Sequence, residues 1–372
     1  MKAIIKRLWK KAAAALTACA VGLILATPAP MVSTAEAGLG EAIGVAVSVG
    51  QMAAQRNAIK KEINELENTE EGRYELFNQF KEKYGVNNDY YLNNKMDSII
   101  ANLVKGVNTI DPSVADKSYL WFINNDESIN AFCTLGHVMS INTGLLTHFT
   151  NDDEIAAVIG HEMGHGQKGH AKKGIMKQVD TIIALSAGVA VAGGSALTNL
   201  AANIANMHIN AHATKKDEWE ADNLAFEYIK HTNYNPGACA AIQQKFIELG
   251  ASKSSALESI FSPSDHPNSE ARRDNYLKKL TEYSGGHVSM KNGTVSINKK
   301  YFTTVAESGS MSSMERACFV LGNLAAAYNN GHNKSDAYVS GNTIYLGAQP
   351  IMTLESGDES AQVLVERLNS IK

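Results

Sequence analysis

The chain has 372 residues, 44% of them hydrophobic and 19% charged, with 34 basic against 38 acidic side chains. This is ordinary globular composition, enough for one large core or two smaller ones. A formal net charge of −4 excludes a strongly basic nucleic-acid binder, and four cysteines with no Cys-x-x-Cys pair exclude a cysteine zinc site and a disulfide scaffold.

Residues 1–37 differ from the rest. Lys2, Lys6, Arg7, Lys10 and Lys11 precede the apolar run AAAALTACAVGLILA, and Ala35-Glu36-Ala37 stands before Gly38. Basic, apolar and small-x-small, in that order, is the layout of an export signal cleaved after Ala37; an uncleaved amino-terminal anchor is the bland alternative. Leu16-Thr17-Ala18-Cys19 also fits the pattern before a lipid-modified cysteine, but the apolar run before Cys19 is short and continues past it, which favours ordinary cleavage. Export places the mature chain in the periplasm or cell envelope, with anchoring through Cys19 as the alternative. Cleavage removes five basic residues and Glu36, leaving a more acidic chain in which Cys133, Cys239 and Cys318 are too few to staple the fold.

Residues 38–55 are small and softly apolar, and from about 51 to 105 apolar residues recur at three and four, as in helices. Two strand-like runs follow, SYLWFINND and HVMSINTGLL, linked through SINAFCTLG. Asn151, with Glu154 three residues on, offers a capping box for a helix that carries VIGHEMGHGQKGHA, residues 158–171. Residues 181–206 are lipid-like, but Gly193-Gly194-Ser195 interrupts them and the apolar run falls short of the roughly 20 residues needed to span a bilayer. A broken helical hairpin over the histidine helix is the expectation, with peripheral membrane contact, or a membrane-embedded enzyme, as the alternatives. After about residue 283 hairpin signals begin: TVSINKKYFTTVAESG (294–309) resembles TIYLGAQPIMTLESG (343–357), with Asn292-Gly293 and Gly341-Asn342 in matching turn positions. Each copy precedes a helical pattern, so a tandem β-β-α appendage is expected, either a structural cap or a binding region.

In a helix, residues four apart lie about 40° apart around the axis and 6 Å along it. His161 and His165 therefore point together and can grip one zinc ion, while Glu162, one residue on, lies beside the metal where a general base belongs. A metzincin-type third histidine would fall at residue 171, which is alanine. His170, five after His165, falls about 140° off the metal face of a continuous helix and reads as a supporting or surface group. The remaining source is a carboxylate from KKDEWEADNLAFEYI (215–229), where Glu218 and Asp222 share a face. One of them can reach the metal while the other holds a ligand histidine by its second nitrogen.

HEMGH, then EWEAD, then DHPNSEAR (265–272) together resemble family forty-eight of the zinc metallopeptidases, which holds HtpX-like proteases, CAAX prenyl proteases and periplasmic BepA-like enzymes. The resemblance covers roughly residues 90–280. It implies a mainly helical, gluzincin-type α+β domain, one Zn2+ per chain on His161, His165 and Glu218, Asp222 in support, and a protein or peptide substrate. It also implies that the segment 130–146 forms an edge strand for the substrate backbone, with Asn130, Ala131, Phe132 and Cys133 in contact, the polypeptide lying along 131–141. His266 and Arg272 come near the active site by the same resemblance, as charge stabilisers of the carbonyl oxygen, or with His266 as a latch on the zinc. One departure is Leu135-Gly136-His137 where the family has Pro-Gly-Gly. The expected organisation is a signal (1–37), a peptidase domain (38–282) and the accessory region (283–372). The expected function is exported zinc endopeptidase in envelope protein quality control, against a latched or inactive, chaperone-like binding protein.

Overall fold

The computed structural model describes residues 39–187, 214–251, 268–309 and 311–372. The expected export signal, Cys19, His266 and residues 188–206 of the expected hairpin lie outside them. Among the described residues the chain divides into two compact units: residues 39–62 with 176–187, and residues 63–175 with everything described from 214 onward. The first unit contains a bidentate ion pair, Arg56 Nε to Asp180 Oδ1 at 2.6 Å and Nη2 to Oδ2 at 3.1 Å. No described helix is long and apolar enough to cross a membrane.

Three amino-terminal helices are α1 (Leu39–Asn68), α2 (Glu70–Tyr84) and α3 (Tyr90–Ile110). Thr69 caps α2 by accepting from the Gly72 amide, with Glu70 and Glu71 in the first turn and Lys81 and Lys83 in the last, each complementing the helix dipole. On α3, Met96, Ile99, Ile100, Leu103 and Val107 repeat at three and four and are buried. A three-stranded sheet follows, built of β1 (Leu120–Asn124), β2 (Ala131–Cys133) and β3 (Val138–Asn142) in the order β1-β3-β2. β3 is therefore central, parallel to β1 and antiparallel to β2, and pairs on both sides. This corrects the expectation of one continuous edge segment. Residues 138–141 have no free side to offer a substrate, and within this segment the unpaired edge is confined to 131–133.

Between β2 and β3 the chain turns through Gly136 and His137, both left-handed at φ 68° and 56°. Two adjacent positive φ values explain why glycines suit this turn, and in this chain a histidine takes the second place. Its ring stacks on Tyr119 with centroids 4.6 Å apart, and Nδ1 lies 2.9 Å from the Lys117 carbonyl. Arg73 and Glu67 brace the turn, through Arg73 Nε to the Gly136 carbonyl at 2.6 Å and the Gly136 amide to Glu67 Oε2 at 2.9 Å.

A short α4 (Thr143–His148) leads to α5 (Asp152–Lys168), the histidine helix. Asn151 caps it as expected, accepting from the Asp153 amide at 2.8 Å. Glu154 does not complete a capping box; it turns inward, 1% exposed, and takes Lys245 Nζ at 2.8 and 3.0 Å. Gly169, left-handed at φ 59°, ends α5, and α6 (His170–Ala187) starts at the next residue. The following helices are α7 (Lys215–Ile229), α8 (Ala238–Ala251) and α9 (Ser269–Tyr283). α7 opens with a capping box between Thr214 and Asp217.

α5 and α7 meet through small residues. A Cβ added to Gly164 would lie 3.0 Å from the Ala221 Cα and carbonyl oxygen, and one on Gly160 would touch Ala225 at 3.8 Å. Gly160 and Gly164, like Ala221 and Ala225, are four apart, so each pair lines one face of its helix.

Beyond α9 lie β4 (Val288–Lys291), β5 (Thr294–Ile297), β6 (Lys300–Thr304) and α10 (Ser313–Asn329), then β7 (Ala337–Ser340), β8 (Thr343–Leu346), β9 (Gln349–Thr353) and α11 (Ala361–Ile371). Each sheet is an antiparallel meander with a register shift in its middle strand. The sequence reading of two strands per copy therefore misses one in each. The first missed turn is Asn298-Lys299, which reaches φ 50° and 66° without a glycine and gives no turn signal. α10 packs on the chain before α8, where a Cβ on Gly322 would come within 2.3 Å of the Gly237 amide nitrogen.

Gly164→Val should lower the unfolding free energy by about 1–3 kcal/mol through overpacking against Ala221, as read by urea titration. Acid should weaken the β2–β3 turn as well. Burial, helped by Lys117, lowers the His137 pKa to about 4, while an unfolded histidine titrates near 6.5. Between those values the unfolded chain binds more protons, so stability falls as pH drops. His137→Gly, which suits the φ, should narrow the stability difference measured between about pH 7 and about pH 4.5.

Candidate metal centre

α5 carries His161 and His165 one turn apart, and the close contact with α7 brings Glu218 to them. The two Nε2 atoms are 3.0 Å apart. Glu218 Oε2 lies 3.5 Å from His161 Nε2, and Oε1 lies 3.4 Å from His165 Nε2. The three residues form a group whose donor atoms all lie within 4.8 Å of one another. Four ligands at zinc bond lengths of about 2.0–2.2 Å in a tetrahedron sit about 3.3–3.6 Å from each other, which the two nitrogen–carboxylate separations match and the nitrogen pair approaches. The histidine side chains are 13% and 11% exposed, so the centre has an open side.

Behind His161 stands a buried network. Asp222 Oδ1 lies 2.9 Å from His161 Nδ1 and is held by Arg272, through Nε to Oδ2 at 2.7 Å and Nη2 to Oδ1 at 2.6 Å. The Tyr276 hydroxyl donates to the same Oδ1 at 2.8 Å. Burial favours the neutral acid, but the Arg272 charge and its hydrogen bonds, with that from His161, hold Asp222 well below the usual carboxylate range. Burial disfavours protonated His161; hydrogen bonds to Asp222 and Glu218 outweigh it and raise the ring to about 10. His165 is pushed down to about 3, first by burial and then by its neighbour His161.

Arg272 differs from its expected place. It is 3% exposed and clamps Asp222, with Nη2 also 3.3 Å from His161 Nδ1, so the contacts it makes here are to the group supporting a ligand histidine. Tyr276 was not anticipated, although it stands one helical turn after Arg272 and so shares its face. Of the two places expected for His170, supporting or surface, it takes the supporting one. The break at Gly169 brings its Nδ1 to 2.9 Å from His165 Nδ1.

Glu162 sits on the sheet side of α5, where its Oε2 accepts the Cys133 amide at 3.2 Å. Burial raises its pKa to about 7 against the opposing pull of His161. On β2, the Asn130 carbonyl accepts from Asn142 at 2.9 Å, and Ala131 and Cys133 are buried. Phe132 packs against Phe80 and Tyr84, with ring centroids 5.5 and 5.8 Å apart. It is the Cys133 backbone amide that bonds to Glu162.

The model of Peptidase family M48 matches residues 92–281, which run from α3 to α9 and include His161, Glu162, His165, His170, Glu218, Asp222, Arg272 and Tyr276. The chain belongs to peptidase family M48. Similar proteins include metalloprotease LoiP of Escherichia coli (strain K12), 30% identical over 159 residues, which are 42% of this chain and 60% of that protein. Mitochondrial metalloendopeptidase OMA1 of Arabidopsis thaliana is 31% identical over 127 residues, 34% of this chain and 25% of OMA1. Beta-barrel assembly-enhancing protease of Escherichia coli (strain K12) is 26% identical over 195 residues, 50% of this chain and 38% of that protein. The chain thus spans less than two thirds of each of these relatives. M48 membership implies zinc, and two imidazole nitrogens plus one carboxylate, at tetrahedral spacing, fit that ion.

Arg272→Ala would leave the Asp222 carboxylate buried without its guanidinium partner. It should cost about 3–5 kcal/mol of stability, measurable by urea unfolding.

Proposed function

We propose that this M48 protein is an exported zinc metalloendopeptidase that hydrolyses peptide bonds in misfolded or misassembled envelope proteins. The observation that carries the reading is the convergence of two Nε2 atoms, 3.0 Å apart, on the Glu218 carboxylate. His161, His165 and Glu218 would hold one zinc per chain. When bound, zinc supplies Lewis acidity, polarising a peptide carbonyl and acidifying water.

The remaining roles belong to the chain itself. Asp222 fixes the His161 ring through Nδ1, and Arg272 and Tyr276 keep Asp222 ionised and in place. Glu162, with a pKa near 7, can take a proton from water on its carboxylate and return it to the leaving amine. The Cys133 amide holds that carboxylate, so β2 both orients the base and supplies the short edge along which a substrate strand would align. The basic-apolar-small pattern of residues 1–37 supports export, and one similar protein is by name a beta-barrel assembly-enhancing protease, which supports an envelope substrate.

Glu162→Gln should retain zinc and lose cleavage of unfolded casein by about 100-fold to 10,000-fold, and a chelator should abolish cleavage by the unaltered protein. Undiminished cleavage by Glu162→Gln would overturn the mechanism.

A further inference from the structure

We propose that His170 is a positioning residue that fixes the tautomer and ring orientation of His165, and thereby the zinc affinity of the centre. The inference rests on the metal site of the preceding reading. His165 points Nε2 at the donor cluster, 3.0 Å from His161 Nε2 and 3.4 Å from Glu218 Oε1. A neutral imidazole whose Nε2 lone pair faces a cation carries its proton on Nδ1, and that N–H needs an acceptor. On His161 the acceptor is Asp222. On His165 it is the Nδ1 of His170, at 2.9 Å.

A nitrogen–nitrogen hydrogen bond contains one proton. For His170 Nδ1 to accept it, His170 must be the Nε2–H tautomer, and its Nε2 must have acceptors of its own. Two carboxylates are there: Asp217 Oδ1 at 3.3 Å and Glu220 Oε2 at 3.4 Å. His170 is 4% exposed, so solvent does not replace them. Asp217 is also fixed by the Thr214 capping box, through the Thr214 amide to Oδ2 at 2.9 Å. The chain of contacts runs from the start of α7 through His170 to His165, and the left-handed Gly169 gives it its path.

The same three residues, His170, Asp217 and Glu220, are spaced as a possible cation site. Proton counting rules it out while zinc occupies the first site. A cation on His170 Nε2 would move the His170 proton to Nδ1, so His165 Nδ1 would have to accept and its own proton would sit on Nε2, facing the zinc. One arrangement or the other holds, and the Nε2 convergence on Glu218 selects the relay.

The test is zinc affinity by competition with a chelating indicator, on the full chain and on His170→Ala, His170→Phe, His170→Asn and His165→Ala. His170→Ala and His170→Phe should each bind zinc about 10–100-fold more weakly. Phenylalanine keeps the ring volume without an acceptor, which separates the hydrogen bond from packing, and it decides the matter if the alanine variant fails to fold. His170→Asn should recover most of the affinity, because Oδ1 can accept in place of Nδ1. The visible spectrum of the cobalt-substituted protein should change in the phenylalanine variant and return toward the parent in the asparagine variant. Parent-like affinity in His170→Phe, with loss in His165→Ala, would overturn the relay and leave the metal site standing. A second tight zinc equivalent lost in Asp217→Ala/Glu220→Ala would overturn it in favour of a second site. Absence of zinc binding by the parent would overturn both readings.

Discussion

The whole centre depends on how closely α5 approaches α7. Two imidazoles on one helix are fixed by its pitch, but the carboxylate that joins them comes from more than fifty positions along the chain. Gly164 against Ala221, with Gly160 against Ala225, lets the two backbones come near enough for the short reach of a glutamate. The helices also bury Asp222 between them, so the same contact sets the distance to Glu218 and the dielectric around the acid behind His161. Larger residues on that face would separate the donors before altering any one of them.

The two histidines are oriented by different means. His161 is backed by an ionised group, Asp222, which is itself neutralised by Arg272 and bonded to Tyr276. His165 is backed by an uncharged ring whose far side meets two carboxylates. Placing an unscreened carboxylate directly behind both rings would concentrate negative charge in a buried site, which is costly unless each charge is paired. The arrangement keeps one buried ion pair and displaces the other charges to a half-exposed position. In that arrangement the Arg272 fork is spent on Asp222, which it helps to keep charged.

Helical periodicity alone paired His161 with His165 and put Glu218 and Asp222 on one face; the choice of Glu218 over Asp222 as the third donor came from the family resemblance. Periodicity also explains the limits. Judged on an unbroken helix, His170 could be a supporting or a surface group; Gly169 ends α5 and redirects the chain, which puts His170 behind His165. Periodicity could not separate residues 131–133 from 138–141, since strand patterning does not reveal which strand is central. Asn298-Lys299 supplied a left-handed turn from residues that seldom announce one, so the third strand of that sheet was read through. The direction of Arg272 is a tertiary matter, set by where α9 crosses α7, and the single hint of it in the sequence is Tyr276 one turn later.

Lys245 on α8 stands 2.8 Å from Glu154 in the first turn of α5 and 3.9 Å from Glu315 at the start of α10. Nearby, the Asn235 side chain donates to the Phe319 carbonyl at 3.0 Å. The histidine helix ends at Lys168 and α10 begins at Ser313, so the one leaves the ribosome well before the other. The amino-terminal flank of the histidine helix therefore meets part of its surroundings only once a segment translated much later has arrived. A nascent chain halted before α10 would leave that flank without the Glu315 that approaches Lys245 beside it.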